Sequence, residues 1–598
     1  MHLTGLDWSF VIGFFILSIF IGVLASRKAG KGYSEFFLSG RTMPWWLLGF
    51  SMVATTFSAD TPNLVTDIVR KNGVSGNWQW WAFLLTGMLT VFVYAKLWRR
   101  SGVGTDLEFY ELRYSGKPAA FLRGFRALYL GVLFNVVIMA TVSLAAIKIS
   151  GVLLNLSPIE TVLIASGVTV IYSALGGLTG VIWTDFFQFI IAMIGVVGAA
   201  YVVVNLPEVG GMEAMLTHPN VSGKLNFLPD FNDMNALLPF LILPLAVQWW
   251  SVWYPGAEPG GGGYIAQRML SAKNETHAIG ATLFFNFTHY ALRPWPWIIV
   301  ALASLIVFPD LESLKTAFPH ISDNFLKDDL AYSAMLTYLP SGLLGLVVAS
   351  LMAAYMSTIS THLNWGSSYV VNDFYKRFVK PEAGDRELVL VGRISTVLLM
   401  ALSAYVALKM ESALDSFEII LQIGAGTGLI FILRWFWWRI NAWSEIAAMV
   451  ISFVVALIFK KWGDDIPSHI QLISGVGITT IGWIAVTYLT TPTDKGTLLS
   501  FYKLIKPHAA GWRPVLNPAI AEGKIDESEI EPGKLPLEIL CMVAGCFLVY
   551  GALFGIGFLV YGTIGKAMIG FAVAAVAAII LWRSWSQVKG RDEAAPAA

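Results

Sequence analysis

The stretch Ala349–Trp365, ASLMAAYMSTISTHLNW, lies inside a long apolar segment yet carries Ser350, Ser357, Thr358, Ser360, Thr361, His362 and Asn364. At about 100° per residue, Ala354, Ser357, Thr358 and Thr361 fall on one face of a helix. A small residue followed by hydroxyls lets oxygen atoms converge on something small. Ser and Thr are also common glue between membrane helices. Which role this stretch plays depends on what surrounds it.

The surroundings are membrane-like. The chain has 598 residues, is 56% hydrophobic and only 13% charged, with a mean hydropathy of +0.65. That composition belongs to an all-α polytopic membrane protein. A net charge of +1 offers no basic surface for nucleic acid. Cys541 and Cys546 share one apolar segment and read as small hydrophobes, neither a disulfide framework nor a metal site. No Lys or Arg precedes the first apolar run, and ASRKAGKG follows it without a cleavage signal, so that run reads as a retained span.

Fifteen spans follow from hydropathy, numbered 0 to 14: 7–25, 44–69, 75–97, 122–154, 158–175, 179–205, 236–258, 276–308, 340–374, 387–408, 413–433, 442–459, 469–490, 537–560 and 566–586. Positive charge concentrates in alternate loops, among them Arg27, Lys28, Lys31 and Arg41, then Lys96 to Arg126, then Lys376 to Arg393. The bias puts the N-terminus outside and the C-terminus in the cytoplasm of a cell (inner) membrane, with Lys460 and Lys461 as the exception. Trp435, Trp437, Trp438 and Trp443 suit an inner aromatic belt. Leu206–Asn235 and Pro309–Leu339 are external loops with room for short helices; Thr491–Pro536 is an internal polar loop, and the tail RDEAAPAA reads as disordered.

Two spans are interrupted. Span 1 carries ATTFSADTP at 54–62, and span 6 carries PGAEPGGGG at 255–263. Backbone cannot unwind against lipid, because its N–H and C=O groups would lack partners, but it can do so around a buried solute or ion. The glycine run of span 6 also fits an ordinary loop just past a helix. Breaks five spans apart suit an inverted repeat, spans 1–5 against 6–10, with the broken helices meeting at the midplane. The chain then divides into 1–43, an N-terminal helix and loop; 44–235, the first repeat; 236–440, the second; and 441–598, four further C-terminal helices with the cytoplasmic loop 491–536.

Several motifs, taken in order, resemble the sodium:solute symporter family, over about residues 5–440. They are FFLSGR (36–41), YSALGGL (172–178) with WTD (183–185), QRMLSAK (267–273), MST (356–358) and DFYK (373–376). The resemblance implies the leucine-transporter-type inverted-repeat fold and a sodium site between the span 1 break and span 8. Its ligands would be the carbonyls of Ala54, Phe57 and Ala354 and the hydroxyls of Ser357 and Thr358. Neutral oxygens suit a hard cation that must also be released.

Asp185 is an ionisable residue within a span, and so a functional candidate by default, with a structural hydrogen bond as the alternative. The resemblance implies a second sodium at Asp185, Ser357, Ser360 and Thr361; with that site unused, Asp185 is a candidate proton carrier, since burial raises a carboxyl pKa.

For the solute, NWQWWAF (77–83) and QWWSVWY (248–254) set Trp80, Trp253 and Tyr254 beside the breaks, where aromatic faces stack on sugar rings or organic cations. Against the sugar cotransporters, the resemblance adds Thr61, Gln79, Gln422 and Arg293 as contacts. Here span 6 departs from the sugar pattern, reading PGAEPGGGG where those proteins carry polar residues before QR. Arg293 suits a carboxylate as well as hydroxyls, or a salt bridge to Glu258 or Asp60. Lys148 has the reach to snorkel. His289 and His362 lack metal-ligand spacing.

The resulting expectation is a sodium symporter importing a sugar or polyol by alternating access, and not an enzyme. A sugar acid, amino acid or other carboxylate is the alternative solute. A transporter-like sensor is the alternative class, which calls for an appended signalling domain that residues 491–598 do not offer.

Overall fold

The computed structural model describes residues 3–590 except 252–257, 320, 322–325, 411–425, 464 and 532. Among them, eleven helices are long and apolar enough to cross a membrane. The other spans read from hydropathy are interrupted, short or undescribed. Most of span 10, with Gln422, lies outside the described residues, as do Trp253, Tyr254 and the C-terminal tail.

Span 1 is two helices, Trp45–Thr56 and Thr61–Asn72, with Phe57 at φ −87°, ψ 72° ending the first. Pro62 sits in the first turn of the second, where its missing N–H costs nothing. Span 6 resumes as Gly263–Ser271 after a non-helical, buried stretch from Glu258 to Gly262. Its glycine run is therefore a break within the protein, not a surface loop. Asp106 accepts the Gly263 N–H at 2.8 Å and so caps the resumed helix. The entry to span 1 meets the exit of span 6: Met43 N–H donates to the Ser271 carbonyl (3.2 Å), and Lys273 N–H to that of Met43 (3.0 Å). The two segments run parallel in this short bridge, and the start of one broken span lies at the end of the other, as opposite topologies of the two first helices in an inverted repeat would have it.

Spans 4 and 5 form the run Pro158–Val204, which changes direction at Gly177 (φ 52°, ψ −160°). A side chain there would meet the Phe36 carbonyl at 2.7 Å. Span 8 is Leu343–Val379, buried for most of its length. Span 0, Gly5–Ala29, docks outside the repeat through Asp7, which accepts the Gly342 and Gly345 N–H groups (2.7 and 2.8 Å) at the start of span 8. Four C-terminal spans follow: Ala442–Trp462, Ser468–Leu489, Leu535–Val560 and Ile564–Val588.

Three expectations need correcting. Trp435 is no belt residue; it is buried, packed on Phe109 (4.5 Å between ring centroids) and Trp98 (5.0 Å). Lys148 does not snorkel, because Asp329 holds its ammonium at 3.0 Å. Arg293 has no ion pair with Glu258, which instead pairs with Arg126 and lies 3.6 Å from Arg434.

Candidate functional site

The broken end of the first half of span 1 frees several carbonyls, and each oxygen that can be traced has a use. The Val53 and Ala54 carbonyls accept the Phe57 N–H (2.9 and 3.0 Å). The Thr55 carbonyl accepts the Thr358 hydroxyl from span 8 (2.8 Å), and that hydroxyl also reaches the Ala354 carbonyl in its own helix (3.1 Å). Thr358 thus ties the break to span 8 at the level of Ala54, Phe57 and Ala354. Ser357 turns elsewhere, donating to Asp185 Oδ1 at 2.6 Å. All five proposed ligands of the first ion site are buried.

Asp185 is fully buried and lies at the centre of a second network. Ser51 of span 1 donates to its Oδ2 (2.5 Å). Arg268, from the resumed helix of span 6, brings Nη2 to 3.7 Å from the same oxygen. Arg268 also donates to Ser51 Oγ (3.2 Å), to Gln267 Oε1 (2.9 Å) and to Thr361 Oγ1 (2.7 Å). The Thr55 and Thr361 hydroxyls lie 3.0 Å apart. Ser360 donates to the Ser357 carbonyl in its own helix (3.1 Å). The guanidinium of Arg268 therefore stands among the residues assigned to a second sodium. A buried carboxylate needs a cation close by, and in this conformation the protein supplies one.

Beside the break lies a cavity of about 220 Å³, lined by Thr61, Trp80 and Arg293 together with Asp60, Asn63, Tyr290 and His362. An apolar cavity of about 150 Å³ holds benzene, so this one has room for a single substituted ring. Trp80 stacks on Tyr290, with ring centroids 5.8 Å apart and planes at 24°. Asp60 Oδ1 and Asn63 Oδ1 have no hydrogen-bond partner among the described residues. Thr358 lines the same cavity, so the proposed ion ligand and the cavity are contiguous. Gln79 does not line it. Its side chain is half-buried, and its carbonyl accepts from Gln248 Nε2 (2.8 Å).

Arg293 lines the cavity but directs its donors to span 1. Nη1 reaches the Val53 carbonyl and Thr56 Oγ1, both at 3.2 Å, and Nη2 reaches His289 Nδ1 at 2.6 Å. Arginine only donates, so His289 Nδ1 must carry its lone pair. The guanidinium also lies over the rings of Phe57 (5.5 Å) and Trp297 (5.1 Å). Among the described residues no carboxylate comes within ion-pair distance of it; Asp60, the other partner considered, is not one.

Sequence reasoning missed Arg268, Ser51, Thr55 and Asp60 as site residues. QRMLSAK marked Arg268 only as part of a signature, and nothing local to that helix points at Asp185. His289 and His362 are placed by tertiary partners: His362 Nδ1 lies 2.6 Å from Asn135 Oδ1.

A model of the Sodium:solute symporter family matches residues 36–452. The chain is 26% identical over 487 residues to a sodium/glucose cotransporter of Vibrio parahaemolyticus, covering 79% of this chain and 88% of that protein. It is 28% identical over 499 residues to a sodium/myo-inositol cotransporter of Homo sapiens, covering 76% of this chain and 66% of that one. In three dimensions it resembles a Na+-coupled sialic acid symporter in a substrate-bound outward-open state, with a TM-score of 0.67 at 20% identity, over 82% of this chain and 99% of that one. That last likeness speaks for the fold alone.

Proposed function

We propose that this chain, which belongs to the sodium:solute symporter family, couples sodium entry to import of a sugar or polyol across the cell (inner) membrane. The observation that carries this is the contiguity of the two sites. Thr358 bonds the Thr55 carbonyl at the span 1 break and also lines the ring-sized cavity. Sodium at Ala54, Phe57, Ala354, Ser357 and Thr358 holds the break against span 8. A solute resting on Trp80, with its hydroxyls toward Thr61, Asp60 and Asn63, then binds beside an already ordered wall. Each ligand lowers the ordering cost of the other, which is what coupling requires. The repeats 44–235 and 236–440 rock about this point, with the N-terminus outside and the C-terminus cytoplasmic.

A second sodium at Asp185, Ser357, Ser360 and Thr361 requires Arg268 to withdraw, so one resident site is the simpler stoichiometry for this conformation. Uptake of labelled sugars and polyols into proteoliposomes, with and without an inward sodium gradient, tests the reading. Sodium-dependent accumulation of a neutral sugar or polyol is expected. No sodium-dependent accumulation of any solute overturns it.

A further inference from the structure

Arg293 falls where the resemblance to sugar cotransporters implies a solute contact, yet the hydrogen-bond and ring partners described for it outside its own span, Val53, Thr56 and Phe57, all belong to the end of the first half of span 1. Only its Nε lacks a hydrogen-bond partner among the described residues. Val53 and Thr56 are the residues immediately before Ala54 and Phe57, whose carbonyls are assigned to the first ion site. Phe57 itself lies face-on to the guanidinium and edge-on to Trp297 (5.0 Å between centroids, 67°). The break is thus held by Nη1 of a planar guanidinium and by the ring contacts of that group, while Thr358 holds it from span 8.

We infer that Arg293 is a positioning residue for the first sodium site, acting through the backbone of the span 1 break and not by grasping the solute. This rests on the reading that sodium binds at Ala54, Phe57, Ala354, Ser357 and Thr358. The physical reason is the end of a half-helix. The Val53 and Ala54 carbonyls share the single Phe57 N–H where the chain leaves the helix, and they sit at the negative end of its dipole, so their direction toward an ion depends on what else holds the turn. Nη1 of the guanidinium holds two points of that turn while Nη2 is anchored on His289, so the donor that reaches span 1 is itself fixed in direction, as a lone flexible ammonium is not. Trp297 and Phe57 hold the guanidinium in plane.

A competing electrostatic effect has the opposite sign. A fixed positive charge near a sodium site repels the ion, so removing it would tighten binding if charge mattered more than geometry. Lysine separates the two, because it keeps the charge and loses the His289 anchor and the planar group between the rings.

The test uses the purified full-length protein and sodium alone, with no solute. Thermal unfolding in detergent is followed against NaCl at constant ionic strength, with choline chloride replacing it. The concentration of sodium giving half of the sodium-specific stabilisation is the readout. A residue that is merely structural lowers Tm equally in both salts and leaves that concentration unmoved. Arg293→Gln is expected to raise it by about tenfold or more, the equivalent of one lost charge-assisted hydrogen bond. Arg293→Lys should raise it by less. Thr56→Val removes one of the two acceptors of Nη1 and is the milder variant if the arginine variants do not fold; it should shift the value in the same direction. An unchanged or lower half-saturating concentration in the Gln and Lys variants, or in Thr56→Val where those do not fold, overturns the inference. A wild-type protein with no sodium-specific stabilisation removes the sodium site itself, and the inference with it.

Discussion

Arg268 and Arg293 flank the first half of span 1 from opposite sides, and both are fully buried. Arg268 faces a carboxylate, Asp185, across 3.7 Å, and it also donates to hydroxyls of spans 1 and 8 and to the Gln267 amide oxygen. Arg293 faces neutral acceptors and two aromatic rings. Both hold span 1 in place, but by different physics. The first is a charge pair, whose members depend on each other. The second is a brace, in which a cation is solvated by carbonyl dipoles and ring faces.

The difference sets an order of effects. The largest is expected for Asp185→Asn, which strands the Arg268 guanidinium without its counter-ion at a cost of about 3–5 kcal/mol. The double variant Asp185→Asn/Arg268→Gln should recover part of that loss, giving a clear coupling energy in thermal or denaturant unfolding. Additive losses would show that the two are not a pair. If Asp185 also takes part in ion coupling, the single variant will shift the sodium dependence of uptake, and unchanged sodium dependence removes it from any ion site.

Arg293→Gln comes next. It takes one donor away from acceptors that are all neutral, so about 1–3 kcal/mol is expected. A loss as large as that of Asp185→Asn would mean that a carboxylate, Asp60 being the nearest candidate, depends on Arg293 after all. Thr358→Val tests the joint between the two arms. Its stability loss should be about 1 kcal/mol, one buried hydrogen bond, while sodium-driven uptake should nearly disappear if the proposed ion site uses this hydroxyl. Normal uptake would take Thr358 out of the ion site. The smallest effect is expected for Gln79→Ala, whose side chain does not line the cavity; stability should change by no more than about 0.5 kcal/mol and solute uptake should be near normal. A large loss of uptake would bring Gln79 back as a contact.

Much of this was legible before any coordinates. Spans follow from apolar length alone, since each must cross the hydrocarbon unaided. The break in span 1 was readable because ATTFSADTP puts small and polar residues with a proline at mid-depth. The glycine run of span 6 was not decidable, since the same residues make a surface loop or a buried break depending on what covers them. Here Tyr94, Thr90 and Trp98 crowd Gly260 and Gly261, which adopt positive φ, and bury the run. Trp435 likewise looked like its neighbours Trp437 and Trp438 in sequence and was separated from them only by packing. Asp185 announced itself as a lone acid in a span. Its partner did not, because an arginine in a signature motif carries no mark of where its side chain ends.

The sequence by itself determined that this is a sodium:solute symporter of many spans, a transporter with a broken first helix, hydroxyls on span 8 and one acid within span 5. Those properties rest on hydropathy, local backbone chemistry and residue order, all of which are one-dimensional. Tertiary structure alone decided who neutralises whom. It set Arg268 against Asp185, sent Ser357 to that carboxylate while Thr358 bridges to Thr55, and turned Arg293 toward the backbone of span 1. Charge pairing and ligand geometry depend on distances of a few ångströms between segments far apart in the chain, and spacing along the sequence does not encode them.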